Sequence, residues 1–329
     1  MKITLLTYGS WGDVEPFLAL AKGLQNAGHR VRLVAPKFFE YLVESQTIDF
    51  VGLPGEPQRL VQNLVNEAGK NLLRMVSTVS TFVVPLAAEV SKIARTASID
   101  SDVIIHSFLF TTTGYEIARD IGIPDISAQL FPVFSDTAEF PAPTFPDFSL
   151  GGFYRRLTHK FVTQIFWQGS RLLSVWAKRK YPDLPSPTSW PFDARNDWQT
   201  PILYAFSSHV IPRPRDWRDE THITGYWFPE NHGEWVPDKE LLDFIKTGPP
   251  PISIAFGSTV THNLGEIYEK VLGALSISKQ RGIIVGDWVN FKDKAYNIYQ
   301  TDYVPYDWLF KRSAAVIHHG GAGTTGKGL

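Results

Sequence analysis

The sequence predicts an α/β chain of two doubly wound, parallel-sheet lobes. Three observations predict it. Residues 1–35 run strand, tight turn, amphipathic helix, strand, the opening unit of a parallel sheet. The same grammar restarts at Ile252, after the triplet Pro249-Pro250-Pro251. A length of 329 residues exceeds one ordinary core and suits two lobes.

Taken in order, residues 3–7 are apolar and β-prone, and Gly9-Ser10-Trp11-Gly12-Asp13 forms a turn. Val14, Phe17, Leu18, Ala21 and Leu24 then recur at helical spacing, with Asp13 placed to cap the helix and Gly28 to stop it. Strand 30–35 follows, then a helix over 38–45 and a strand over 49–53. Residues 59–97 read as helical, broken near Pro85. Next come a strand over 102–106, a helix over 112–121 stopped by Gly122, and a strand over 124–129. The prolines and aromatics of 131–148 mark a loop, 154–180 a long amphipathic helix, and 182–198 an irregular stretch. Residues 202–207 read as the last strand of the first lobe. The lobe boundary is placed at 222/223, giving lobes 1–222 and 223–329. In the second lobe the pattern predicts strands over 252–256, 281–285, 301–304 and 314–318. Helices are predicted over 263–278 and 306–312, with a last one opening at the C-terminal end.

Composition removes several classes of function. Lys and Arg number 32 against 33 Asp and Glu, for a net charge of −1, so no basic field favours nucleic acid or an anionic membrane surface. There is no cysteine, hence no disulfide, thiolate nucleophile or thiolate metal site; this fits a reducing cytoplasm. No stretch reaches ~18 uninterrupted apolar residues, so no bilayer-spanning helix is expected. The His residues at 29, 159, 209, 222, 232 and 262 show no metal-ligand spacing. Asp100-Ser101-Asp102 looks like a metal-gripping acidic pair, but it precedes its strand, at the wrong end for a site. Ten Trp, 22 Phe and 12 Tyr build an aromatic core, and some of them suit a pocket for a flat, greasy ligand.

The most chemical stretch is the last one, IHHGGAGTTGKGL. A strand runs into glycines whose missing side chains let backbone N–H groups approach an anion, at the start of a helix. Thr324 and Thr325 add hydroxyls, and His319 adds a donor. It is neither a P-loop, since Lys327 falls too late, nor a dinucleotide fingerprint.

With these residues the chain resembles a family. HHGGAGTT is similar to the donor-diphosphate motif of the GT-B nucleotide-sugar glycosyltransferases, in the branch holding sterol 3-β-glucosyltransferases and glycopeptide-antibiotic glycosyltransferases. GSWGDVEPFLALAKGLQNAGHRVRLVAP, GPPPISIAFGST and VPYDWLFKRSAAVIHHGGAGTT agree with that branch in the right order. The resemblance implies a GT-B fold: two Rossmann-like domains facing across a cleft, an acceptor-binding first and a donor-binding second, the second incomplete. It implies an inverting hexosyltransferase using a UDP- or TDP-sugar as co-substrate, with no metal and no cofactor.

Residue by residue, the resemblance puts His319, Gly321, Ala322, Gly323 and Thr324 on the donor pyrophosphate and Ser258 near the phosphates. Trp288 and Val304 would surround the base, Val304 through its backbone; Trp288 stands equally as a packing residue. Asp13 would be the general base that takes the acceptor hydroxyl's proton. Residue patterns alone leave that role and the helix cap even. Ser10, Trp11 and His106 fall on the acceptor side. Ser10 also suits a plain turn, Trp11 plain packing, and His106 a strand-end histidine satisfied within the fold.

The aromatic first lobe and the sterol-like branch favour a small lipophilic acceptor (a sterol, terpenoid or polyketide). Peripheral membrane contact suits such an acceptor but has no charge signature here. The family's remaining strands and helices, with an Asp-Gln pair for the sugar, do not follow Leu329. The chain is therefore expected to be a fragment, inactive as it stands. The rival reading is a non-catalytic remnant that only binds a hydrophobic ligand. A nucleotide-sugar epimerase is weaker, lacking the cleft carboxylates and histidines it would need.

Overall fold

The computed structural model describes residues 1–44, 47–56, 83–143, 145–182, 187–229, 235–256, 264–286 and 297–329. The chain divides into two compact units, Met1–Pro229 and Glu230–Leu329. The division falls a few residues beyond the boundary expected at 222/223. That expected boundary would have cut a short strand that belongs to the first unit's sheet.

The strands of the first unit are β1 (Lys2–Leu6), β2 (Arg30–Pro36), β3 (Asp49–Leu53), β4 (Val103–His106), β5 (Asp125–Gln129), β6 (Ile202–Tyr204) and β7 (Thr221–Ile223). Its helices are α1 (Trp11–Asn26), α2 (Glu40–Glu44), α3 (Val84–Ser98), α4 (Thr111–Ile121) and α5 (Gly151–Lys180). One parallel sheet results, in the order β3-β2-β1-β4-β5-β6-β7. Both faces are covered, which is why its central strands are nearly all apolar. Alternation along β1 divides the core. Ile3 and Leu5 pack with Phe17, Leu18 and Ala21 of α1 on one face. Leu6 packs with Val90, Ala94 and Ile117 of α3 and α4 on the other. Fully buried Leu5, Leu6 and Phe17 each contribute roughly 2 kcal/mol through removal from water.

The second unit repeats the plan. Strands β8 (Ile252–Ala255), β9 (Gly282–Val285), β10 (Ile298–Thr301) and β11 (Ala315–His318) form a parallel sheet ordered β10-β9-β8-β11. Helices α6 (Lys239–Lys246) and α8 (Tyr306–Phe310) cover one face through Leu241, Leu309 and Phe310. Helix α7 (Leu264–Ser278) covers the other through Tyr268 and Leu275. The last helix is α9 (Ala322–Gly328), seven residues long. Strand β11 lies at an edge, and its Ile317 is 45% exposed.

Several expectations shift. Helix α1 starts at Trp11, and its N-cap is Ser10, not Asp13. Pro85 stands in the first turn of α3, where its missing N–H costs nothing; residues 59–82 of the long predicted helix lie outside the described residues. The strand expected over 301–304 lies earlier, at β10. Among the described residues Val304 pairs with no strand, and it buries its side chain beside Leu309. Strand β7, not β6, ends the first sheet. Helix α6 was not anticipated, although Asp238 caps it by accepting the Leu241 N–H at 2.6 Å.

One polar pair is sealed inside the first sheet. His106 Nε2 meets Asp125 Oδ2 at 2.9 Å, both side chains being essentially without exposure. Thr200 donates its hydroxyl to the same carboxylate. Removing one partner of a buried pair strands the other. His106→Leu is therefore expected to lower the unfolding free energy by about 3 kcal/mol or more, read by urea denaturation. Asp125→Asn, which keeps a hydrogen-bonding group opposite the ring, should cost clearly less.

Candidate active site

Each sheet has one place where strand order reverses, and ligands of open α/β sheets bind at the strand ends there. In the first unit it falls between β1 and β4, in the second between β8 and β11. The turn β1–α1 holds Gly9, Ser10, Trp11 and Asp13. The turn β11–α9 holds His319, Gly320 and Gly321.

In the first turn the chain leaves the sheet through Gly9, at φ +155°, and enters α1 at Trp11. Asp13, in the helix's first turn, reaches back. Its Oδ2 accepts the backbone N–H of Ser10 at 2.7 Å and the Ser10 hydroxyl at 3.0 Å. This satisfies a donor that the helix start leaves without a partner. The carboxylate lies so close over Gly9 that a Cβ there would meet Oδ2 at 2.2 Å. The Thr7 hydroxyl donates to the Asp13 carbonyl at 3.0 Å, fixing the backbone of the same residue. Gly9 and Thr7 were not singled out as site residues from sequence. The signal was the glycine and threonine at the strand exit.

Both side-chain bonds fall on Oδ2. Among the described residues no donor reaches Oδ1, so Asp13 can brace its turn and still present one oxygen to a ligand. Burial pushes its pKa up from the ordinary carboxylate range, and the two Ser10 hydrogen bonds only partly oppose it. A carboxylate poised nearer neutrality is a better proton acceptor.

The other first-unit candidates are placed as follows. Trp11 is half-buried; its ring meets Phe39 edge-on at 5.9 Å and its Nε1 donates to Glu15 at 3.1 Å. His106 lies at the end of β4, but its ring is turned inward to Asp125. The backbone of α4 approaches so closely that a Cβ on Gly114 would meet His106 Cβ at 2.7 Å. That ring offers a ligand no surface in this structure. Asp100 and Asp102 lie at the opposite end of the sheet. Asp100 is bound by Lys2 and Arg32, and Asp102 accepts the Lys2 backbone N–H.

In the second unit, Gly320 takes φ +84°, a conformation that favours glycine. Its N–H donates to His318 Nδ1 at 3.1 Å. Gly321 is the N-cap of α9 and has no side chain with which to cap it. The exposed His319 ring leans over it, and a Cβ on Gly321 would meet His319 Nε2 at 2.5 Å. The first intrahelical bond is Thr325 N–H to the Gly321 carbonyl, at 2.9 Å. The N–H groups of Ala322, Gly323 and Thr324 therefore precede any intrahelical bond, beside an imidazole. Thr324 itself is buried. Val304 commits its side chain to the core. Ser258 and Trp288 lie outside the described residues.

A profile of the glycosyltransferase family 28 N-terminal domain matches residues 3–111. The sterol 3-beta-glucosyltransferase UGT80A2 of Arabidopsis thaliana is 30% identical over 344 residues, covering 100% of this chain and 53% of that protein. The chain thus spans about half the length of that relative, and 24% of the sterol 3-beta-glucosyltransferase of Aspergillus oryzae. The O-mycaminosyltylonolide 6-deoxyallosyltransferase of Streptomyces fradiae is 34% identical, covering 99% of this chain and 77% of that protein. Among solved structures, the calicheamicin glycosyltransferase CalG4 superposes with a TM-score of 0.65 at 14% identity, over 99% of this chain and 77% of its own. The glycosyltransferase SsfS6 of Streptomyces sp. SF2575, complexed with thymidine diphosphate, does so with a TM-score of 0.57 at 16% identity, over 99% and 78%.

The raised pKa of Asp13 makes a stability prediction. A carboxyl that binds its proton more tightly folded than unfolded favours the native state in acid. That contribution is lost as pH rises from the ordinary carboxylate value through the raised one. Asp13→Asn keeps an oxygen to accept the Ser10 N–H and has no charge to desolvate. At neutral pH it is expected to be as stable as the parent or more so. The parent should lose stability relative to the variant on going from pH 4 to pH 7, measured by denaturant unfolding.

Proposed function

The chain belongs to the GT-B glycosyltransferases, in the branch of the sterol 3-beta-glucosyltransferases and the O-mycaminosyltylonolide 6-deoxyallosyltransferase, and on that footing we propose that it transfers a hexose from a UDP- or TDP-sugar to a hydroxyl of a lipophilic acceptor. The observation that carries the reading is Asp13: a half-buried carboxylate at the switch point of the first sheet, held by Ser10 through one oxygen only.

In this reading Asp13 takes the proton of the acceptor hydroxyl. The acceptor oxygen attacks the anomeric carbon of the donor. The bond from that carbon to the diphosphate oxygen breaks, and the nucleoside diphosphate leaves with the electron pair. A single displacement of this kind inverts the anomeric centre. The second unit would hold the leaving diphosphate on the N–H groups of Ala322, Gly323 and Thr324, the bare backbone at Gly321, and His319. Donors aimed at developing charge are the largest usual source of such stabilisation. Ser258, Trp288 and Val304 would complete the donor site. The thymidine diphosphate complex of SsfS6 supports the choice of ligand. The sterol-acting relatives support a lipophilic acceptor.

Isothermal titration of the chain with UDP and with dTDP is expected to show binding of at least one, weakened about tenfold or more by His319→Ala. In a sugar-transfer assay of a full-length version with a sterol acceptor, Asp13→Asn should lose ~10²–10⁴-fold in kcat while leaving nucleotide affinity unchanged. Equal transfer by Asp13→Asn would remove Asp13 as the base.

A further inference from the structure

Helix α5 turns an apolar row to solvent. Phe153 is 83% exposed, and Leu157, Phe161, Ile165, Leu172 and Val175 are each more than half exposed. Their spacings of three, four and seven put them on one side of the helix. At 1.5 Å per residue the row from Phe153 to Val175 runs roughly 33 Å. Exposed Gln164 and Gln168 interrupt the row at its middle, but six large apolar side chains exposed on one side of one helix still mark a contact surface. It is not a misplaced core face, because α5 already packs on its other side. Leu173, Trp176 and Ala177 meet Val84 and Ala88 of α3, and Phe166 lies against Phe108 and Phe134.

The charge of α5 is as uneven as its apolar row. Its thirty residues carry seven Lys or Arg and no Asp or Glu, within a chain of net charge −1. Exposed Lys160, Arg171 and Lys178 follow one flank of the apolar row. Arg156 continues that flank but is paired to Asp216. Lys160 and Lys178 have no acidic partner among the described residues. An amphipathic helix with an apolar row and a basic flank has the composition of one that lies in a membrane interface. Balanced overall charge had concealed this signature.

We infer that α5 is an interfacial membrane helix, and that its occupant is the surface of an anionic bilayer. The apolar row enters the boundary between headgroups and acyl chains, and Lys160, Arg171 and Lys178 meet the anionic headgroups. The observations select this occupant over two others. A second copy docked on the same face would bring two sets of like charge together. A small acceptor molecule is several times shorter than the row. The inference goes beyond the transferase reading and stands without it, since bilayer binding needs neither donor nor acceptor. With that reading in place, α5 would bring the enzyme to the layer where a sterol-like acceptor resides.

The test is flotation of the whole chain with phosphatidylcholine vesicles, with and without phosphatidylserine. The parent is expected to float with the anionic vesicles at least about tenfold more than with the neutral ones, and less as salt rises. Phe153→Asp with Leu157→Asp should abolish flotation, and Lys160→Glu with Lys178→Glu should reduce it to the neutral-vesicle level. All four positions are exposed, and circular dichroism verifies that each pair of changes leaves the fold intact. Absence of parent binding overturns the inference, as does equal binding by both variants. Self-association in sedimentation velocity that the variants lose, without vesicle binding, also overturns it, in favour of a protein interface. Each of these results leaves the UDP and dTDP titrations untouched, so this inference and the transferase reading can fail separately.

Discussion

Parallel pairing is the constraint from which the rest of this structure follows. Strand β1 pairs with β2 on one side and β4 on the other, both parallel. Every chain exit toward a helix therefore leaves one edge of the sheet, and the two exits flanking the reversal of strand order are left without a crossover above them. The second sheet obeys the same rule around β8 and β11. Parallel sheets need helices on both faces, so the central strands are mostly apolar, with buried polar residues such as His106 and Asp125 paired to one another. Asp13 and Ser10 occupy the exit at the reversal in the first sheet, and His319 to Thr324 the corresponding exit in the second.

At the first exit, local structure and chemistry share one side chain. Asp13 satisfies the Ser10 N–H at the start of α1, and that contact needs a glycine beneath it at position 9. The same packing desolvates the carboxyl and raises its pKa. A residue held only as a cap would gain from a low pKa and full ionisation. Here burial works against the charged form, a small loss of stability of the kind found where a group is kept reactive. The inward-turned His106 is the contrasting case. It stands at a strand end on the same edge, but its Nε2 is turned into the core against Asp125, whose carboxylate Thr200 also holds.

Much of this was legible in the sequence because periodicity and punctuation agreed. The order β1–α1–β2, the stop at Gly122 and the restart after Pro251 all follow from apolar spacing and from glycine or proline at the ends. What was misread has physical causes. Ser10 and Asp13 are both good capping residues, and only geometry shows which one caps and which reaches back. Val304 is β-branched and apolar, which reads as strand, yet it plugs the core between β10 and α8 without pairing. Strand β7 has three residues, too few for a pattern to declare itself. The partner of His106 is nineteen residues away, brought to it by strand pairing rather than by any motif. The basic, acid-free run of α5 was present in the letters and was lost only in averaging charge over the chain.

The claim that everything functional rests on is that Asp13 removes the acceptor proton from a desolvated position. The most direct measurement is the pH dependence of kcat/KM for sugar transfer. An ascending limb is predicted whose apparent pKa lies above the ordinary carboxylate value of ~3.9, because Asp13 must be ionised to act. That limb should disappear from the residual activity of Asp13→Asn. A limb that persists unchanged in the variant would assign the proton acceptor to another group and contradict the role given to this turn.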